Sequence, residues 1–347
     1  MQTTSPRQIN SNAPVVAIVG ATGAVGVELI NCLENRNFPV GRLKLLASAR
    51  SAGKTLPFKG NDVAIEELTA GSFAGVDVAL FSAGASISRR HAQDAMGAGA
   101  IMVDNSSAFR MDPNVPLVVP EVNGETLARH SGIVANPNCV AAIATVAVAP
   151  LHKAHPIRRL SMVTYQAASG AGAAAMEELR ESTAAQLRGE SFEPKVLPHP
   201  YAFNLFSHNA EVDAESGYNG EETKVVAETR RILGVDDLPI GITCIRVPVL
   251  RAHAMAISLE FDEVVTPEEA RALLRGGQGL RVVDDRAANH FPMPSEASGQ
   301  DDVLVGRIRV DTVDPSGRTL ALFAAGDQLL KGAALNAVQI AELLLKR

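Results

Sequence analysis

Val15-Val16-Ala17-Ile18-Val19-Gly20-Ala21-Thr22-Gly23-Ala24-Val25-Gly26 passes from five apolar residues into three glycines spaced three apart. A short apolar run rich in β-branched side chains reads as a buried strand. The stretch from Val25 to Glu34 reads as a helix. Glycines at such a junction let the backbone turn sharply and approach a pyrophosphate closely. The helix start behind them offers N–H groups and positive potential. Gly20, Thr22, Gly23, Ala24, Val25 and Gly26 are therefore read as a dinucleotide cradle, with a tight structural turn as the alternative. Its place at the first strand–helix junction of an alternating series favours the cradle.

Working outward, Leu43–Ala47, Val76–Phe81, Ile101–Asp104, Leu117–Val119 and Ile133–Ala135 are further short apolar runs separated by helical stretches. Buried runs alternating with helices predict parallel βαβ units, a doubly wound Rossmann-type α/β domain. After about Asn136 the runs lengthen and alternate: Leu160–Gln166, Thr243–Val247, His253–Phe261, Leu304–Val310 and Leu320–Ala324. This pattern predicts a mainly antiparallel sheet in a second, α+β domain. At 347 residues two cores are expected. The expected division is a polar, disordered tail over 1–12, a nucleotide domain over 13–137, a second domain over 138–328, and a final helix over 329–347 returning to the first. Thr266-Pro267-Glu268-Glu269 has the form of a helix start. Ser191 to Asn219, rich in Pro, Asn, His and Gly, reads as a long ordered loop.

Composition narrows the function classes. A net charge of −6 and 4% aromatic residues argue against nucleic acid and anionic membrane as partners. No apolar run approaches the roughly 18 residues that span a bilayer, and the N-terminus has no apolar signal core. Three cysteines, Cys32, Cys139 and Cys244, suit a reducing cytoplasm better than a disulfide framework, and their spacing suggests no metal site.

Cofactor choice rests on the end of the second strand, where an NAD enzyme usually carries a carboxylate for the ribose hydroxyls. Ser48-Ala49-Arg50-Ser51 stands there instead. Arg50 attracts a 2′-phosphate and Ser51 can donate to it, so NADP is favoured; the alternative for Arg50 is a solvated loop charge. A nucleophile is suggested by Asn136-Pro137-Asn138-Cys139 before the apolar helix Val140–Ala149. With Asn138 as an N-cap, Cys139 falls in the first turn, where the helix dipole favours thiolate. The alternative, a small buried hydrophobe, suits Cys32 and Cys244.

These two motifs, together with Gln166-Ala167-Ala168-Ser169-Gly170-Ala171-Gly172, Glu221-Glu222-Thr223-Lys224, Arg246-Val247-Pro248-Val249-Leu250-Arg251-Ala252-His253 and Asn105-Ser106-Ser107-Ala108-Phe109-Arg110, make the chain resemble the aspartate-semialdehyde dehydrogenase family from about residue 14 to 345. The resemblance implies a homodimer built through a catalytic and dimerisation domain. It implies reduction of L-aspartyl 4-phosphate with NADPH to aspartate 4-semialdehyde and phosphate through a Cys139 thioester, in the biosynthesis of lysine, threonine, methionine and isoleucine. In it His253 moves the proton, Gln166 positions substrate and thioester, Arg246 grips the α-carboxylate and Glu221 the α-ammonium. Arg110 and Lys224 hold phosphate. Ser169 and Gly170 approach the nicotinamide, and Gln328 touches NADP. No metal is implied. Taken singly, Arg110, Lys224 and Arg246 read as solvated charges, Glu221 as a helical ion-pair partner of Lys224, and His253 as a structural histidine; the other seven histidines, His91, His152 and His208 among them, have no such context.

Rivals are N-acetyl-glutamyl-phosphate reductase, which usually follows its cysteine with Tyr-Pro where Val140-Ala141 stands here, and glyceraldehyde-phosphate dehydrogenase, which has a Cys-Thr-Thr motif. An inactive binding paralogue is disfavoured by the presence of both Cys139 and His253.

Overall fold

The first apolar run forms the middle of a sheet because both its faces are covered. In the computed structural model, which describes residues 11–346, β1 (Val15–Val19) is flanked in parallel by β2 (Arg42–Ala47) and β5 (Val78–Phe81). A polar hairpin, β3 (Thr55–Phe58) and β4 (Asn61–Glu67), and two more strands, β6 (Ile101–Asp104) and β7 (Ile133–Ala135), complete the order β3-β4-β2-β1-β5-β6-β7. All neighbours are parallel except β3 with β4. The expected strand Leu117–Val119 contributes only an isolated bridge, Leu117 to Ala135. Pro116 and Pro120 flank it and remove N–H donors from any longer ladder. Of the expected tail, residues 1–10 lie outside the described residues.

The chain divides into two compact units, one running to Asn138 and resuming at Ala333, the other Cys139–Gly332. Within the first unit the C-terminal helix Leu335–Leu345 is tied down by Arg36, whose guanidinium meets Glu342 at 2.6 and 2.8 Å. Asn336 donates to Val118 O at 2.9 Å. The helix expected from Leu329 opens with a π turn over Leu330–Ala334.

In the second unit, β8 (Ile157–Gln166), β9 (Phe206–Ser207), β10 (Ile240–Arg246), β11 (His253–Phe261), β12 (Leu280–Val282), β13 (Val303–Val310) and β14 (Thr319–Gly326) form one sheet in the order β12-β13-β14-β11-β8-β10-β9. It is mainly antiparallel, with parallel pairs only at β8–β10 and β12–β13. The helix Pro267–Arg275 starts as its sequence predicts, with the Thr266 hydroxyl accepting from Glu269 N.

The loop over 191–219 is held from inside. Leu197 and Tyr201 bury themselves against Ala168, Ala175 and Leu179. The buried Glu178 carboxylate accepts from the backbone N–H groups of Lys195, Val196 and Leu197 at 2.6 to 3.0 Å. Tyr201 donates to Val247 O at 2.6 Å. Charge-assisted bonds of this kind exceed neutral ones, and they carry the loop across the end of β10.

Candidate active site

Gly20 and Gly23 fall in the turn between β1 and the helix Ala24–Asn35, and Gly26 in the first turn of that helix. Gly20 adopts φ +86°, which L side chains disfavour, and its N–H donates to Leu46 O at 2.8 Å. A methyl added at Gly26 would overlap Gly20 O and lie 2.8 Å from Ala21 Cα. The helix Ala24–Asn35 can therefore pack on the turn only without that side chain. Thr22 and Gly23 are exposed, and Ala24 and Val25 half-buried, at the helix start. Arg50 and Ser51 sit on a short 3-10 turn, Ala49–Ser51, just beyond the end of β2. Because β1 and β2 are parallel neighbours, that turn and the glycines share the C-terminal edge of the sheet, where nucleotides bind open α/β folds. A turn that admits no Cβ at Gly20 or Gly26 and ends on a helix start fits the close approach of a pyrophosphate.

The segment before Cys139 is anchored by amides. Asn136 is fully buried. Its side chain donates to Asn105 Oδ1 at 3.0 Å and accepts from Asn336 Nδ2 at 2.6 Å. Arg110 is buried, with Nε donating to Asn136 O at 2.9 Å and Nη2 to Asn105 O at 2.7 Å. Two backbone carbonyls thus help to orient its guanidinium. Cys139 is the first residue of the helix Cys139–Ala154 and is half-buried. Cys244 is buried, and burial pushes its thiol up to about 12, which leaves it protonated and inert.

The second unit gathers its polar residues at one end of its sheet. Parallel register pairs Arg246 with Gln166 at the ends of β10 and β8. Antiparallel register puts Ala254 beside Tyr165, so His253 opens β11 next to Gln166. All three are buried, with Arg246 4% exposed and His253 fully enclosed. Gln166 donates to Glu221 Oε1 at 3.3 Å and accepts from Thr164 Oγ1 at 3.1 Å. Glu221 is buried in the first turn of the helix Gly220–Leu233, which Asn219 caps in a reciprocal capping box with Glu222. Lys224, one turn on, is exposed.

His253 is neutral. Burial, then Arg246 and His208, hold it well below the usual histidine range. Ala167 N–H donates to Nδ1 at 3.0 Å, so the ring proton sits on Nε2. That atom is buried and has no hydrogen-bond partner among the described residues. The resting ring therefore presents its Nε2–H as a donor. The preceding residue, Ala252, has φ +72°, and its N–H donates to Gln328 Oε1 at 2.9 Å. The Gln328 amide also bonds the Ser169 hydroxyl. Gln328 and Ser169 are both buried, and Gln328 bridges the Ser169 turn to the base of His253. Gly170 stands over the site: a methyl there would come within 3.0 Å of His253 Cε1 and 3.2 Å of Arg246 Nη1.

Sequence reasoning missed His208 and Asn209. His208 Nε2 lies 2.9 Å from Arg246 Nη2, and Asn209 Oδ1 accepts from Arg246 Nε at 3.3 Å. The loop's length and its lack of periodicity concealed them. It missed Gly332 too, where a Cβ would come within 2.7 Å of Cys139 Cβ. Among the described residues no group of three or more His, Cys, Asp or Glu side chains is arranged to hold a metal, and no helix is long and apolar enough to cross a membrane.

A nucleotide-binding sheet joined to a mixed sheet with a buried Gln–Arg–His edge defines the semialdehyde dehydrogenase architecture. The models for the semialdehyde dehydrogenase NAD-binding domain and dimerisation domain match residues 15–130 and 148–331. Aspartate-semialdehyde dehydrogenase of Synechocystis is 54% identical over 96% of this chain and 97% of its own, and that of Aquifex aeolicus 47% over 95% and 98%. The crystal structure of aspartate semialdehyde dehydrogenase II from Vibrio cholerae, complexed with ASA, superposes with a TM-score of 0.91 at 40% identity, covering 96% of this chain and 98% of that one. The chain belongs to the aspartate-semialdehyde dehydrogenase family.

Proposed function

We propose that the protein reduces L-aspartyl 4-phosphate to L-aspartate 4-semialdehyde with release of phosphate, using NADPH and a thioester on Cys139. The observation that carries this reading is the buried set of Gln166, Glu221, Arg246 and His253 at one sheet end. It offers a cation and an anion, the complement of a free amino acid. An N-acetylated substrate would leave Glu221 without an ammonium to meet.

Cys139, at a helix start that favours thiolate, attacks the acyl carbon. The bond from that carbon to the phosphate oxygen breaks, phosphate departs, and the acyl group stays on sulfur. NADPH, when bound, supplies the hydride that the thioester carbon accepts. As the aldehyde forms, Cys139 leaves as thiolate and is ready for another cycle. His253, neutral with its proton on Nε2, donates a hydrogen bond to the acyl oxygen as negative charge builds there. Arg246 and Glu221 orient the amino-acid end, and Gln166, bonded to Glu221, aligns the acyl group between them. We assign Arg110 and Lys224 each to phosphate.

The cofactor is assigned to Gly20, Thr22, Gly23, Ala24, Val25, Gly26, Arg50 and Ser51, with Ser169 and Gly170 toward the nicotinamide and Gln328 supporting Ser169. The domain boundaries proposed are 13–137 with 329–347 for cofactor and 138–328 for catalysis and dimerisation. The protein is proposed to be a homodimer, and a reducing cytoplasm suits a thiol nucleophile.

The test is phosphate-dependent reduction of NADP by aspartate semialdehyde in the wild-type protein and in Cys139→Ala. Turnover is expected only in the former, with NADP affinity retained in both. Activity above a few per cent in Cys139→Ala, about the level a side route could sustain, removes the thioester.

A further inference from the structure

Arg246 has two bidentate faces, a side fork made by Nε and Nη2 and an end fork made by Nη1 and Nη2. Asn209 Oδ1 takes Nε at 3.3 Å, and His208 Nε2 takes Nη2 at 2.9 Å. Two consecutive residues thus fill the side fork as a carboxylate would. Ala167 O accepts from Nη1 at 3.2 Å, which fixes the plane of the guanidinium.

The two side-fork partners carry no charge. His208 is surrounded by Arg246, Glu221, Lys224 and His253, and burial, then Arg246, push it down to about 4. Its neutral ring has one bare nitrogen. Two donors face the ring, Arg246 Nη2 at Nε2 and the Ala210 N–H at Nδ1, and a neutral imidazole accepts from one only; the shorter, charge-assisted contact to Arg246 puts the ring proton on Nδ1 and leaves the 3.2 Å Ala210 contact the weaker one. A carboxylate in the same place would align Arg246 equally well but neutralise it, and a neutralised guanidinium attracts a substrate carboxylate far less. The loop that carries the pair is pinned by Glu178 and Tyr201, and β9 pairs Phe206 with Arg246, so its register against β10 is set.

We propose that His208 and Asn209 are positioning residues that form a neutral clamp on Arg246, leaving its full charge and the second N–H of Nη1 and of Nη2 for the α-carboxylate of the substrate. This rests on the assignment of Arg246 to that carboxylate. The clamp makes the side chain at position 208 a specificity determinant: neutral acceptors preserve selection for an α-carboxylate, and an anion erases it.

His208→Gln and His208→Glu have the same shape and differ in charge. For each, kcat/KM is measured with aspartate semialdehyde and with 3-aminopropanal, the same aldehyde without its carboxylate. The ratio of the two values isolates recognition of the carboxylate, because changes in phosphate binding, cofactor binding or chemistry divide out. The expected ratio in His208→Gln lies within about threefold of wild type. In His208→Glu it falls by about tenfold or more, the effect of an opposite charge a few ångströms from the guanidinium. Equal ratios in the two variants overturn the clamp. If the wild-type protein itself shows no preference for aspartate semialdehyde over 3-aminopropanal, the assignment of Arg246 fails instead. Melting temperature and NADP affinity confirm that each variant folds. Should His208→Glu not fold, Asn209→Asp adds the same charge at an exposed position, where solvent screening reduces the expected fall to about threefold, and an unchanged ratio again overturns the clamp.

Discussion

Replacing Gly170 by alanine adds one methyl where three atoms of the site converge. The new carbon would lie 3.0 Å from His253 Cε1, 3.1 Å from His253 Nε2 and 3.2 Å from Arg246 Nη1. Carbon contacts settle at about 3.5–4.0 Å, so the neighbours must withdraw by about half an ångström. Neither side chain is loose. His253 is held at Nδ1 by Ala167 N–H, and its backbone is braced through Ala252 and Gln328. Arg246 is held on three nitrogens. Displacing a hydrogen-bond donor and a carboxylate fork by this amount costs about 10- to 100-fold in rate, since reacting groups misplaced by an ångström lose about a hundredfold. The expected result for Gly170→Ala is therefore a fall of that size in kcat/KM for semialdehyde, with NADP affinity within about threefold of wild type. Steady-state kinetics with semialdehyde varied, and fluorescence titration with NADP, read the two quantities. If the variant keeps more than about a third of its kcat/KM, the crowding argument is wrong. If NADP affinity alone carries the loss, the added methyl acts on the nicotinamide and not on the histidine–arginine pair.

Gly26→Ala places its methyl against the Gly20 carbonyl, and backbone on both sides leaves no escape. Loss of NADP binding and a drop of about 2 kcal/mol or more in stability are expected by denaturant titration, and an unaltered NADP dissociation constant would exclude Gly26 from the cradle. Arg50→Asp replaces attraction by repulsion at the 2′-phosphate and should shift the NADP/NAD preference by about tenfold or more toward NAD; an unchanged preference makes Arg50 a loop charge. Stability should fall with acid between about pH 6.5 and 4. His208 and His253 are pushed down on folding, so as pH drops the unfolded chain takes up protons that the folded chain refuses. The stabilisation is intact above 6.5, and His208 alone, discounted for its partial exposure, accounts for about 2 kcal/mol lost by pH 4. A denaturation midpoint that is flat over this range, or a slope undiminished in His208→Gln, contradicts it.

What could be read from the chain follows from what leaves a periodic trace. β1 was legible to the residue because an apolar run ending in glycines has one sensible reading, a buried strand entering a turn. The long strands of the second sheet were legible for the same reason: side chains alternating between a covered and an open face impose a period of two. The hairpin β3–β4 left no such trace. It holds Pro57, Asp62, Glu66 and Glu67 at the sheet margin, with most of its residues exposed or half-buried, and an edge strand buries too little to need an apolar pattern. The π turn at Leu330–Ala334 was invisible as well. Its residues are good helix formers apart from Gly332, and the need for glycine there arises from the approach to Cys139 and Gln328 Cβ.

His208 marks the same boundary within the site. Arg246, Gln166 and His253 lie at strand ends, so the register that builds the sheet also brings them together, and a motif on one strand can be matched with a motif on the next. His208 and Asn209 reach Arg246 from a loop whose course depends on a buried carboxylate 30 residues earlier, Glu178, and on a tyrosine hydroxyl, Tyr201. Neither contact has a period or a spacing rule. The residues proposed to meet the substrate were thus the easier ones to single out, because the proposed reaction dictates their chemistry. The residues that keep those groups charged, aligned and dry were hidden, because many side chains could do the same work. At position 208 the constraint is only a neutral acceptor, which glutamine meets as well as histidine and glutamate does not.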